Sequence, residues 1–324
     1  MPDELVLMDA YSQIFRCFFA VKALSNDRGE PVNALLPFGR ILLHLEKQYP
    51  GCAGAVVFDC GKVQFRLRLC PEYKANRPPA PEALKRQVPF IRELCGLFGW
   101  TLLEEPEYEA DDLIAALACD YAGKVHIISS DKDLAQLVTG RISMQIPARK
   151  GGWETRDEAK VRDRFGVHPG QMVDYLALLG DAADNIPGVP GIGPKGASQI
   201  LEQCGSLENF FSSENPPVSP RIAGILRENR EQLAANRKLI TLRTDLPPRL
   251  VSAAQSCCKK APDWAGIRAF CQERGLYSLL KELPDDGETS LFDELPETFA
   301  CKREKNMKPE QKYEQGDLFA GLEE

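Results

Sequence analysis

Apolar and polar positions alternate in blocks along the first half of the chain. Three short runs are almost wholly apolar: LVLM (5–8), AVVF (55–58) and VHII (125–128). Each is followed within a few residues by an aspartate. Short apolar, β-branched runs bounded by polar residues predict strands buried on both faces, as in a parallel sheet. Between them lie stretches with helical spacing. Residues 12–24 place Ile14, Phe15, Phe18 and Phe19 on one stripe, which predicts a helix burying that face. Further helices are predicted over 34–48, 82–98, 110–121 and 133–138, with a strand over 100–103. This alternation through residues 5–170 predicts an α/β fold with a Rossmann-like, mainly parallel sheet.

From about residue 171 the pattern turns helical, with helices near 197–211, 220–240 and 262–282. The last of these suggests a small terminal subdomain. Residues 284–324 lose apolar periodicity and predict a disordered, acidic tail. The expected division is therefore 1–170, 171–283 and 284–324.

Composition adds limits. The chain has 324 residues, 44% hydrophobic and 27% charged, which are ordinary globular values. No apolar stretch approaches the length of a membrane span, and the start MPDEL does not read as a signal peptide. The 11 cysteines are scattered with no CxxC pair, so free thiols in a reducing cytoplasm are expected. Only 3 histidines occur, without metal-ligand spacing, which argues against a zinc or histidine-based hydrolase. The net charge of −7 seems wrong for a nucleic-acid partner until it is divided. Residues 284–324 hold twelve acidic and five basic residues, so the body is neutral and has room for a basic face beside an acidic pocket.

Nine acids fall in five clusters where strands end or helices begin: Asp9, Asp59, Glu109/Asp111/Asp112, Asp131/Asp133 and Asp181/Asp184. Singly, each reads as a turn or helix cap. Together they are costly, since two carboxylates about 4 Å apart repel by roughly 4 kcal/mol at an effective dielectric near 20. In an open parallel sheet the carboxyl ends of the strands face one crevice. Divalent cations such as Mg²⁺ or Mn²⁺ are the usual remedy, and chemistry on phosphate is the first expectation. Two other stretches fit that view. In residues 62–87 basic residues far outnumber the two acids, Glu72 and Glu82. Residues 188–201 place Gly188, Gly191 and Gly193 in a turn that opens onto a helix holding Lys195. Glycines let a backbone approach phosphate, and helix N-termini offer free N–H donors.

The series YKANR (73–77), YEADD (108–112), SSDKDLAQL (129–137), GDAADNIPGVPGIGPKGA (180–197) and TDLP (244–247) resembles the bacterial 5′ nucleases over residues 4–250. That family comprises the 5′–3′ exonuclease domain of DNA polymerase I and its flap-endonuclease relatives. The resemblance implies a PIN-like nuclease domain, a helical arch at 62–87 and a helix–hairpin–helix region gripping duplex phosphates. It implies a first metal held by Asp9, Asp59, Glu109 and Asp111, and a second served by Asp112, Asp131, Asp133, Asp181 and Asp184. Arg16, Lys74 and Arg77 would neutralise the phosphate. Tyr73, Gly188, Gly191, Gly193 and Lys195 would contact DNA. The resemblance also implies that the glycine turn can hold a potassium ion.

The expected enzyme is a monomeric, stand-alone 5′–3′ exonuclease and flap endonuclease in replication primer removal and repair. It would act on branched or 5′-ended DNA and RNA–DNA junctions. Gln315–Phe319 (QGDLF) resembles the pentapeptide that binds the bacterial sliding clamp, with Gly316 in place of the usual Leu. A non-catalytic junction-binding protein is the alternative. A small-substrate phosphatase built on LVLMDAYS fits poorly, because Tyr11 stands where its second acid is needed.

Overall fold

A computed structural model of the chain describes residues 2–21, 23–61, 63–148, 152–245, 250, 257 and 259–284. The QGDLF segment and the tail from residue 285 lie outside the described residues, as does the second half of TDLP.

Six strands form one sheet in the order β3-β2-β1-β4-β5-β6. They are β1 (Glu4–Asp9), β2 (Ala53–Val57), β3 (Thr101–Leu103), β4 (Lys124–Ile128), β5 (Ile142–Pro147) and β6 (Trp153–Arg156). All pairings are parallel except β5 with β6. Asp9 pairs with Val57 and Met8 with Ile128, so β1, β2 and β4 end side by side. The strand period of two divides β1 between two cores. Leu5 and Leu7 face one core, Val6 and Met8 the other.

On the first face lies α6 (Ala110–Asp120), packed by Leu113, Ile114 and Leu117. The same apolar cluster runs on into α8 (Met172–Leu179), α9 (Pro194–Cys204), α11 (Pro220–Glu228) and α12 (Arg230–Ile240). On the second face lie α1 (Ala10–Ala20), α2 (Leu35–Gln48) and α5 (Val88–Leu97). The last two helices, α13 (Trp264–Glu273) and α14 (Tyr277–Leu280), also belong there. Ile267, Phe270, Cys271, Leu276 and Leu279 are buried in the same cluster as Leu35, Ile41 and Leu94. The predicted terminal subdomain is thus a second layer on the sheet. Lys260 N–H donates to Gly99 O and Asp263 N–H to Leu97 O, which stitches this segment to the end of α5.

Four predicted helices are each broken in two, the one near 262–282 into α13 and α14. Residues 82–98 form α4 (Glu82–Lys85) and α5, because Pro89 at the start of α5 lacks the N–H a continuous helix needs. The buried Gln87 between them caps α2, its Oε1 accepting from Ala34 N and Leu35 N. Gly205, at φ +77, ends α9, and Ser206 caps α10 (Leu207–Ser212). Asn229 ends α11 and starts α12. Residues 133–137 form a 3₁₀ turn rather than an α-helix. Strands β5 and β6 go beyond the sequence expectation. The remaining helices are α3 (Gln64–Leu69) and α7 (Glu158–Phe165). All nine cysteines among the described residues are free thiols, and no helix there is long and apolar enough to cross a membrane.

Candidate active site

The crevice at the carboxyl ends of β1, β2 and β4 opens into a cavity of about 360 Å³. Asp9, Asp59, Glu109, Asp111, Asp131, Asp133, Asp181 and Asp184 all line it. Local structure fixes each one. Asp9 ends β1 and caps α1, its Oδ1 accepting from Ser12 N at 3.0 Å and its Oδ2 from Ser129 Oγ at 2.9 Å. Asp59, two residues beyond β2, accepts from Ala110 N at 2.9 Å and so ties the strand to the start of α6. Asp131 accepts from Asp133 N at 2.9 Å. Asp181 and Asp184 lie in a tight loop closed by mutual backbone bonds between Asp181 and Ile186, at 2.8 and 2.7 Å.

Cations neutralise three of the eight. Lys74 Nζ donates to Glu109 at 2.8 Å, Lys132 Nζ lies 2.9 Å from Asp181, and Arg77 pairs with Asp184. Among the described residues, Asp9, Asp59, Asp111, Asp131 and Asp133 form no ion pair. Their acidity reflects that. Burial pushes Asp9 up to about 7, with the Ser12 N–H opposing and Asp59 and Asp131 adding. Burial, then the neighbouring Asp131, holds Asp111 and Asp133 well above the usual carboxylate range. Asp59 and Asp131 are raised chiefly by burial as well. Glu109 goes the other way: burial opposes ionisation, but Lys74 and Arg66 draw it down to about 2.

This donor set suits a hard divalent cation: five oxygen-only, desolvated carboxylates repelling one another until positive charge arrives. Among the described residues, no three His, Cys, Asp or Glu side chains already stand as a closed ion-holding group. The chemistry of the donors carries the fit.

Several predicted residues sit elsewhere. Asp112 is 0% exposed and does not line the cavity. Its two oxygens take Arg66 Nη1 at 2.6 Å and Nη2 at 2.7 Å, and it also accepts from Arg243 N and Glu109 N. Arg66 thus holds Asp112, expected to serve the second metal, back from the cavity. Arg16 is exposed on α1 and does not line the cavity, because two turns of helix carry it past the end of β1. Tyr73, expected to contact DNA, is largely buried yet lines the cavity, its hydroxyl 3.2 Å from Glu109 and 3.1 Å from Asp184. Gly188 packs its Cα closely against the end of α8, where a Cβ would stand 2.1 Å from Leu179 O, while it also lines the open cleft beside the cavity. Gly191, at φ +80, and Gly193, which caps α9, face open space, and Lys195 is exposed in the first turn of α9.

The arch segment is not wholly a solvated basic face, because Arg66 in α3 is 1% exposed. Sequence reasoning passed over three residues here. Lys132 was legible from its place between Asp131 and Asp133. Arg66 was one basic residue among many, and Arg164, which also lines the cavity, sits at the end of α7 far from any motif.

The fold and its acids match the resolvase-like domain of a nuclease family. The model for the 5′-3′ exonuclease N-terminal resolvase-like domain matches residues 4–166, and that for the 5′-3′ exonuclease C-terminal SAM fold matches residues 167–263. A 5′-3′ exonuclease of Aquifex aeolicus is 39% identical over 288 residues, covering 86% of this chain and 94% of that protein. The thermostable DNA polymerase I of Thermus thermophilus is 40% identical over 282 residues, covering 86% of this chain. The chain spans 33% of that polymerase's length. Among solved structures, the phage T5 5′-exonuclease with bound zinc superposes at a TM-score of 0.61 and 23% identity, covering 86% of this chain and 99% of that one. The catalytic core of Rad2 in complex with DNA substrate superposes at 0.57 and 19% identity, covering 87% and 92%. The chain belongs to the 5′–3′ exonuclease family, whose members are nucleases.

Proposed function

We propose that this chain hydrolyses phosphodiesters in branched or 5′-ended DNA and RNA–DNA junctions, as a 5′–3′ exonuclease and flap endonuclease dependent on Mg²⁺ or Mn²⁺. The observation that carries the reading is the set of five unpaired carboxylates facing Lys74 and Arg77 across one cavity. Asp9, Asp59, Glu109 and Asp111 would hold one ion, and Asp131, Asp133, Asp181 and Asp184 a second. When bound, such ions supply Lewis-acid charge at the scissile phosphate and make water a nucleophile near neutral pH.

The chain's own residues do the rest. Lys74 and Arg77 sit on Glu109 and Asp184, at the mouth of the acid cluster, where they can exchange a carboxylate for a phosphate oxygen. Their charge is most valuable as negative charge builds in the transition state. Tyr73 holds Glu109 and Asp184 in fixed orientation. Gly191, Gly193 and Lys195 present open backbone and a free cation for duplex phosphates, contacts that position without reading sequence. A potassium ion at that turn and a sliding clamp at Gln315–Phe319 belong to the same proposal, as does work in primer removal and repair. The test is cleavage of a 5′-labelled double flap. Cutting at the junction in Mg²⁺ but not in EDTA supports the reading, and binding without cutting supports the junction-binding alternative.

A further inference from the structure

We infer that Asn185 is a positioning residue that seats Lys74 and Arg77 over the carboxylates, an inference resting on the catalytic role proposed for Lys74. Among the described residues, three non-glycine positions have left-handed backbone, and two of them meet here: Lys74 and Asn185, both at φ +57. Such strain persists only where its surroundings enforce it. Three hydrogen bonds do so. Asn185 Nδ2 donates to Glu72 O at 2.9 Å, Asn76 Nδ2 donates to Asn185 Oδ1 at 3.0 Å, and Lys74 N donates to Asp184 O at 3.1 Å.

Both ends of the Asn185 amide are therefore spent on the arch turn, and asparagine is the side chain that tolerates this backbone best after glycine. The clasp joins the Asp181–Asp184 loop to residues 72–77. Across it, the left-handed bend at Lys74 brings Nζ to Glu109. Arg77, whose N–H donates to Lys74 O, reaches Asp184. Asn185 does not line the acidic cavity but the neighbouring open cleft, so it touches no reacting atom and acts through Lys74 and Arg77.

The test is single-turnover flap cleavage in Mg²⁺, with flap affinity measured in Ca²⁺, for Asn185→Gly, Lys74→Ala and the double variant. Glycine keeps the left-handed turn and removes only the amide bonds. Asn185→Gly should slow cleavage about tenfold or more while affinity changes less than about threefold. The double variant should be slower than Lys74→Ala by clearly less than the Asn185→Gly effect alone, because part of that effect runs through Lys74 and only the part through Arg77 remains. Asn76→Ala, an exposed substitution that removes one clasp bond, should slow cleavage in the same direction. Wild-type cleavage by Asn185→Gly, or effects that multiply in the double variant, overturns the inference while leaving the nuclease reading intact. Wild-type cleavage by Lys74→Ala overturns the proposed role of Lys74 and this inference with it.

Discussion

Replacing Arg66 with methionine probes the joint between α3, the acid-bearing α6 and the end of α12. Its guanidinium is buried, bonds Asp112 twice at 2.6 and 2.7 Å, and donates through Nε to Leu239 O at 3.0 Å. Arg66→Met leaves Asp112 at 0% exposure with only the Arg243 and Glu109 N–H groups as donors. An uncompensated buried charge of this kind costs about 3–5 kcal/mol. With an m-value of about 3 kcal/mol per molar urea, the unfolding midpoint should fall by roughly 1–1.7 M. Arg66→Met with Asp112→Leu removes both charges and should regain most of that loss, since well-packed apolar replacements of buried pairs are often neutral. Because Asp112 lies outside the cavity, the double variant should also bind as many Mn²⁺ ions as the wild type, read by calorimetry. Equilibrium urea unfolding followed by circular dichroism is the assay. A single-variant loss under about 1 kcal/mol, or a double variant as unstable as the single, refutes the anchoring role.

Lys195→Ala should weaken flap binding and lower the salt slope of log K by about one unit, with single-turnover rate unchanged; an unchanged slope removes Lys195 from the phosphate grip. Gly188→Ala should destabilise the fold by about 2 kcal/mol or more, because its Cβ meets the Leu179 carbonyl 2.1 Å away; a melting temperature within a degree of wild type contradicts the close approach. In the metal-free protein Asp9 titrates near 7 instead of its ordinary 3.8, so the folded state holds the extra proton in between. Stability should then fall as pH rises from about 4 to about 7, and Mg²⁺ should raise the melting temperature more at about pH 8 than at about pH 5. A Mg²⁺ shift independent of pH counts against the carboxylate cluster as its site.

The parts of the fold legible in sequence are those whose physics is local. Buried parallel strands must be apolar along their length, so β1, β2 and β4 announce themselves, and the aspartates behind them mark the crevice. Strands β5 and β6 are harder to see. ISMQIP mixes polar and apolar positions, and only Trp153 of its hairpin partner WETR is apolar. Helix breaks at Gly205 and Asn229 are single-residue events inside runs whose periodicity carries on. In the site, chain spacing could show that acids follow strands but not which way each side chain points. Asp111 and Asp112 are neighbours on α6, yet the helical turn sends one into the cavity and the other back onto Arg66. That pairing spans 46 positions and is invisible without the fold. The docking of α13 and α14 on the second face is likewise a long-range contact, one that helical periodicity alone cannot place.

The central claim is that these carboxylates exist to run metal-assisted hydrolysis at a DNA 5′ end. The most direct test is single-turnover cleavage of a 5′-labelled double flap in Mg²⁺ by the wild type and by Asp133→Asn, beside gel-shift binding of the same flap in Ca²⁺. The account predicts that the wild type cuts at the junction. The variant should cut at least about a hundredfold slower yet bind within a few-fold, because the acids serve the chemical step and the Gly191–Lys195 turn serves the grip. A variant that cuts like the wild type, or one that loses binding and cleavage together, contradicts it.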